Sequence, residues 1–575
     1  VIADASEIVG SEYINADKYL QDIVRDKRYW EGKRQTIRQR EKQMEETIAR
    51  YQTEMEELQK SRKEIIKQAK EEIKHAIAAY LAKDAYGEYK IPVVRQRPLL
   101  LMGAPGIGKN AIMEQVAREC GVGLVAYSIT HHTRQSAMGL PFISHKNYGG
   151  KEYAVTEYTM SEIIGAVYDK MEETGLKEGI LFIDEINCVS ETLAPAMLQF
   201  LQAKTFGSHK VPEGWIIVAA GNPPEYNKSV REFDVVTLDR VKKIDVEPDF
   251  AAWKEYAWKQ GLHGAVLSYL EIKKNHFYAM ETTVDGKRFA TARGWEDLSN
   301  MLQVYEELGI AADETLIVQY LQHKKIAKDF ANYLDLYEKY RTDYRVGDIL
   351  AGNYTKGAVE KLQEAPFDER LSVMGLLLSR LTEDFTAAYD KDLQTVQLHG
   401  VLKEIKERFA SPYCVETPWE TLTESCMEEI QSKYHREKKA GLLDKHGAQA
   451  YLATIQTMEG YVQAAKGAGL REKDDVFGLM KEKFADVVED RENAISYASE
   501  ALDNTFAFLE EAFGAGQEMV IFITELTANY YSVKFISENG CEKYYSYNKE
   551  LLFEEKQKSI LEDIEKAKTM VDLLF

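Results

Sequence analysis

Apolar residues recur every seven positions near the start of the chain, at Ile37, Met44, Tyr51, Leu58 and Ile65, with a second seam at Ile48, Met55, Ala69 and Ala76. No proline lies between Asp17 and Leu81, and the sole glycine there is Gly32. Such a pattern predicts one long amphipathic helix, either packed on its own chain or on a neighbouring subunit, or projecting as a coiled-coil arm. Glu41 and Arg62 interrupt the second seam, so both arrangements stay open. Gly87 and Pro92 then end the helix.

Beyond them the period changes. Short apolar runs at Pro98–Met102, Leu124–Thr130, Ile180–Asp184, Trp215–Gly221 and Lys243–Val246 alternate with helical stretches. That order predicts a five-stranded parallel sheet covered by helices. Ala251 to about Leu334 reads as helices. Further on, Leu371, Met374, Leu378 and Leu381 form one helical stripe, and Leu502, Phe506 and Leu509 another. Val520–Thr524 is compatible with a strand, but the wider stripe Met519, Ile523, Leu526, Tyr530 and Val533 favours helix. The predicted architecture is therefore a helical segment (1–84), an α/β core (85–248), an α-helical lid (249–335) and an all-α C-terminal interaction region (336–575).

Length and charge narrow the class. A chain of 575 residues exceeds one core. Its net charge of −21 disfavours a general nucleic-acid or anionic-membrane binder. The five cysteines are scattered without a CxxC pair, which fits free thiols in a reducing, cytoplasmic setting. No apolar run reaches the ~18 residues of a membrane span, and the first residues lack the features of a signal peptide. His131 and His132 are adjacent, but no third spaced ligand accompanies them, so zinc is disfavoured.

The chemistry centres on Gly103-Ala104-Pro105-Gly106-Ile107-Gly108-Lys109-Asn110, between a predicted strand and a predicted helix. Strand, glycine-rich loop, lysine and helix form a P-loop (Walker A): backbone N–H groups cradle phosphates and Lys109 adds a point charge. The last position ordinarily carries Ser or Thr for Mg²⁺; here it is Asn110, whose carboxamide oxygen is a different donor. About 75 residues on, Gly179-Ile180-Leu181-Phe182-Ile183-Asp184-Glu185 ends an apolar strand in two carboxylates, a Walker B pattern. Asp184 would hold Mg²⁺ and Glu185 would activate water. Asn222, at the tip of the fourth strand, is placed to contact the γ-phosphate, the sensor 1 position. Arg240, before the fifth strand, is a candidate arginine finger for a neighbouring subunit, with Arg231 second. Arg293, at a lid helix start, fits sensor 2.

These motifs in this order resemble AAA+ ATPases, over roughly Ile91 to Asp335. Asp184-Glu185-Ile186-Asn187 resembles the Walker B extension of the MoxR-type branch. The helix Pro195–Leu201 is similar to the one leading into that branch's hairpin, here Lys204 to Gly214. The resemblance implies ATP and Mg²⁺ bound at subunit interfaces of a ring, typically a hexamer. It also implies a chaperone or remodelling role toward a client protein, with a von Willebrand factor A-domain partner. Three positions depart from the branch: Asn110 in the P-loop, Cys188 in place of an arginine, and Gln199 and Gln202 in place of glutamates. Asn110 implies weakened hydrolysis and keeps a second reading open, a nucleotide-binding scaffold with little turnover. A nucleic-acid translocase is the third, disfavoured by the charge.

Overall fold

The computed structural model describes residues 69–549, except 132–134, 136, 138, 207–208, 227–229, 231–232 and 284–285. The heptad segment before residue 69, and Arg231, lie outside the described residues.

The strands are β1 (Leu99–Gly103), β2 (Gly123–Ser128), β3 (Pro141–Tyr148), β4 (Lys151–Tyr158), β5 (Gly179–Asp184), β6 (Thr205–Phe206), β7 (His209–Lys210), β8 (Trp215–Gly221), β9 (Lys242–Val246), β10 (Ala279–Thr283) and β11 (Gly286–Ala290). Five of them form one sheet in the order β2-β5-β8-β1-β9, every pair parallel. Strand periodicity of two explains its two dry faces. Leu100, Leu181, Ile183, Ile217 and Ala219 point to one side, against helices α2 (Glu162–Thr174) and α3 (Ala194–Ala203). Leu99, Leu101, Ile180, Phe182, Ile216 and Val218 point to the other, against α1 (Lys109–Cys120) and helix 69–81. Ala69, Ile73, Ala76 and Ile77 of helix 69–81 are buried there, so this stretch packs on its own chain. The division at 84/85 therefore separates a helix from the sheet it covers.

The helices that follow are α4 (Phe250–Gln260), α5 (Gly264–Ile272), α6 (Ala292–Leu308), α7 (Glu314–Tyr320) and α8 (Lys324–Tyr344). The long helices α9 (Phe367–Phe409), α10 (Trp419–Ala440), α11 (Lys445–Gly467) and α12 (Lys473–Phe513) come next, then α13 (Gln517–Ala528) and α14 (Tyr530–Asn539). Both predicted stripes lie on α9 and α12, and Val520–Thr524 is helical, within α13.

The expected division at 335/336 falls within a helix. Residues 335 and 336 lie inside α8, and one continuous apolar cluster joins Trp253, Trp295 and Phe330 to Phe385, Phe506 and Phe522. Ion pairs reinforce the join. Lys254 of α4, only 8% exposed, contacts Glu271 of α5 at 2.6 Å and also Glu525 of α13. A smaller second core, with Leu402, Trp419, Met458 and Met480, holds the far ends of α9 and α12 against α10 and α11. That distal bundle touches the sheet region again, through Lys439 of α10 and Glu173 of α2 at 3.3 Å.

Two hairpins were not anticipated: β3–β4, paired in register around Gly149-Gly150, and β10–β11. The hairpin expected between Lys204 and Gly214 is present as β6–β7. Among the described residues no helix is long and apolar enough to cross a membrane, and the five cysteines are free thiols.

Trp295 is fully buried, meets Phe330 edge-on at 5.2 Å and donates its Nε1–H to the His276 carbonyl. Trp295→Ala is expected to cost about 3–5 kcal/mol. Because the lid and the C-terminal helices share this core, chemical denaturation followed by circular dichroism should show both lost together.

Candidate nucleotide-binding site

The site is assembled at the carboxyl ends of β5, β8 and β1, three neighbours in the sheet. Ligands of open α/β sheets gather at such an edge. The loop after β1 turns through two left-handed glycines, Gly106 (φ 74°) and Gly108 (φ 86°), a geometry glycine adopts without steric cost. Gly103 is needed for a different reason: a Cβ there would lie 2.4 Å from the Val246 carbonyl oxygen of β9.

Lys109 opens α1 and is buried. Its ammonium donates to the carbonyls of Gly103 (2.9 Å) and Ala104 (3.0 Å) and to Asn222 Oδ1 (2.8 Å). Burial pushes its pKa down to about 8; Asp184 and Glu185 oppose that fall and Arg293 adds to it. Lys109, Asn222, Asp184, Glu185 and Arg293 are thus one electrostatic cluster.

A reciprocal clasp fixes Asn222. The Asn187 carboxamide donates to the Asn222 carbonyl (2.8 Å) and accepts from the Asn222 N–H (3.2 Å). Asn187 is buried, and its place opens because residue 221 is glycine; a Cβ there would lie 2.8 Å from Asn187 Oδ1. Asn187 is a positioning residue that motif matching did not assign, although it ends the Asp-Glu-Ile-Asn stretch. Glu185 has φ 58°, a left-handed conformation rare outside glycine. Its own N–H donates to Asp184 Oδ1 at 2.9 Å. Strain of this kind concentrates at working sites.

The lid reaches the P-loop directly. Tyr278 donates to the Pro105 carbonyl (3.2 Å), the Arg293 N–H donates to the Gly106 carbonyl (3.3 Å), and Thr291 lies against Gly106 while capping α6. Tyr278 and Thr291 carry no sequence motif, so only the fold brings them here. Between α1 and the lid lies a cleft of about 920 Å³, with Gly108, Asn110 and Arg293 in its lining.

Arg240 is set apart from this cluster. It is exposed and donates to the Gln202 Oε1 of α3 rather than pairing with Asp239 or Asp245. Of the His131–Pro141 loop, residues 132–134, 136 and 138 lie outside the described residues.

Mg²⁺ would meet hard oxygen donors here. Asp184 is half-buried and Asn110 is exposed at the helix start. Among the described residues no three His, Cys, Asp or Glu side chains gather into a metal cage. One carboxylate plus substrate phosphates is the usual way Mg²⁺ is held, so the donor set fits it.

Fold and site together define a P-loop nucleotide-binding α/β core with an apposed helical lid. More particularly, residues 99–238 form an AAA-family domain: they match the family described as "ATPase family associated with various cellular activities (AAA)". No curated protein matches the chain at a significant level. Among solved structures, a candidate ATPase from Cytophaga hutchinsonii is similar at 18% identity and a TM-score of 0.19, over 32% of this chain and 54% of that one. The alignment therefore spans about half of that protein.

The lysine gives a pH prediction. Its folded pKa near 8 lies below the unfolded 10.5. Below pH 8 both states are charged and the burial penalty is complete; between the two values only the unfolded state keeps the proton, so stability rises with pH. Denaturant titrations at several pH values should show the stability of the nucleotide-free protein, relative to Lys109→Met, rising from pH 8 toward 10.

Proposed function

We propose that the chain is a MoxR-like AAA+ ATPase, working in the cytoplasm as an ATP-dependent chaperone or remodelling motor in an oligomeric ring, hexameric by its family resemblance and paired with a von Willebrand factor A-domain protein. The observation that carries the reading is the Lys109–Asn222–Asn187 chain of hydrogen bonds beside Asp184 and Glu185. It ties the phosphate-binding lysine to the residue that would sense the γ-phosphate.

The roles follow from position. Backbone N–H groups of Gly106 to Lys109 and the N-terminus of α1 would take the β-phosphate. Lys109 would exchange its carbonyl acceptors for phosphate oxygens. Asp184 and Asn110 would hold Mg²⁺, which supplies charge neutralisation between the outer phosphates. Glu185 would orient and deprotonate the attacking water, and Asn222 would hold that water by its amide. Arg293 would bridge the lid to the γ-phosphate. Arg240 is exposed and donates to the neutral Gln202 side chain, with the Asp234 carboxylate near enough to act on it electrostatically. An exposed guanidinium suits a finger offered to the next subunit's nucleotide.

A second reading rests on Asn110. A nucleotide-gated scaffold would bind ATP, assemble and turn over slowly, because the carboxamide is a poorer Mg²⁺ donor than the usual hydroxyl geometry provides.

Glu185→Gln should keep nucleotide binding and lower turnover about 10²–10⁴-fold. Asn110→Thr should raise turnover. Steady-state phosphate release, with sizing in the presence and absence of ATP–Mg²⁺, checks both. A rate indifferent to Asn110→Thr removes the scaffold reading, and a Glu185→Gln protein with undiminished turnover removes the motor reading.

A further inference from the structure

The hairpin β10–β11 touches the α/β core at two separate places. At one end, Tyr278 immediately precedes β10 and Thr291 immediately follows β11. These residues meet Pro105 and Gly106 of the P-loop. Lys287 lies toward the other end, paired with Thr282 and four residues before Thr291. Four residues of strand span about 13 Å. The Lys287 ammonium donates to the Tyr226 carbonyl at 2.7 Å.

Tyr226 closes a short connector that begins after Asn222. Pro223 and Pro224 come first, and each proline fixes its own φ. The Tyr226 N–H then donates to the Pro223 carbonyl (3.2 Å), which closes a turn. Tyr226 and Tyr278 are both half-buried and pack on the apolar cluster that includes Ala104 and Ile107 of the P-loop. Burial pushes the Tyr278 phenol above its ordinary range, and the nearby Tyr226 phenol adds to the rise. A stiff link therefore runs from the sensor 1 amide to the lid hairpin.

The hairpin is fastened in turn to the helices behind it. The Phe289 N–H donates to the Gln322 carbonyl at 3.3 Å. His323 is buried and caps α8, its Nδ1 accepting from the Ile326 N–H at 3.4 Å. Its Nε2 therefore carries the proton, and it faces Glu281 of β10 at 3.4 Å. At the far end of the link, Asn222 Oδ1 accepts from Lys109 at 2.8 Å. A phosphate taken up by Lys109 would compete for that bond.

We propose that β10–β11 is a strut that reports the state of Asn222 to the lid of the same subunit, with Lys287 as its positioning residue. The proposal rests on the ATP-binding reading above and adds the route by which the third phosphate is read out. Tyr278 and Thr291 follow the P-loop, which ADP and ATP fill alike. Lys287 follows the connector from Asn222, which only a third phosphate reaches. The lid thus tells the two nucleotides apart through Lys287.

Calorimetric titrations of the full chain with ADP and with a non-hydrolysable ATP analogue, each with Mg²⁺, test it. Lys287→Met should lower affinity for the analogue about 2- to 30-fold, the range for changes along a coupled network, with ADP affinity unchanged. Lys287→Arg should restore the parent ratio, since a guanidinium is also a cationic donor to a carbonyl. Asn222→Ala should lower the same ratio, and adding Lys287→Met to it should cause no further loss, as expected of two residues acting through one route. Amide hydrogen exchange supplies a second readout. In the parent, the analogue should slow exchange in β10 and β11 more than ADP does; in Lys287→Met the two should act equally. Lys287 is exposed, so its variants leave the core packing intact. Equal weakening of both ligands in Lys287→Met, losses that multiply in the double variant, or parent-like discrimination in Lys287→Met each overturns the proposal. If the parent binds both ligands and only the Lys287 variants are silent, the strut alone fails. If the parent binds neither, the ATP-binding reading fails and the strut with it.

Discussion

Everything at the candidate site depends on one buried cation held by neutral oxygens. The Lys109 ammonium sits among two backbone carbonyls and one amide oxygen, with the carboxylates of Asp184 and Glu185 close enough to act on it only electrostatically. Desolvating a charge without a full countercharge is costly, and the fall of its pKa expresses that cost. A polyphosphate would relieve it. The same lysine that burdens the empty fold is therefore the source of its affinity for an anion, and the left-handed glycines at 106 and 108 let the backbone turn around that charge.

The sheet and its motifs were legible in the sequence because each is written locally. All five strands fall on apolar runs, three of which, β1, β5 and β8, end in glycine, carboxylate or amide, and the P-loop, Asp184-Glu185 and Asn222 sit at these three adjacent strand tips. The missed features are those whose meaning is non-local. The clasp of Asn187 on Asn222 spans 35 residues and needs Gly221. The contact of Tyr278 with Pro105 spans 173. Hairpin β3–β4 lacks an apolar alternation because both its faces are largely exposed, although Gly149-Gly150 was a turn signal open to reading. The division at 335/336 cuts α8, whose buried stripe, Phe330, Leu334 and Tyr337, runs across it.

That shared core changes what the lid is. In a lid that ends at its own surface, motion stays local. Here Trp295, which follows Arg293 by two residues, belongs to the same apolar cluster as Phe385 of α9 and Phe506 of α12. The buried Lys254, set between Glu271 and Glu525, adds a polar cross-link whose partners lose their compensation if the helices separate. Interiors packed this way move as bodies rather than deform.

The length of α9 then acquires a mechanical meaning. Its 43 residues extend about 64 Å, rooted beside the lid and ending in the distal bundle. At that radius, a tilt of about 10° at the root would sweep the tip by roughly 11 Å. The restraint recorded by Lys439 and Glu173 is an ion pair with both side chains about half exposed, and such pairs contribute about 0–1 kcal/mol. The Lys170 ammonium of α2 also donates to the Lys439 carbonyl, so the distal bundle is tied to the sheet region by more than one contact. A helix of this length would convert a small angular change at the cleft into travel the size of a helix diameter at a remote surface.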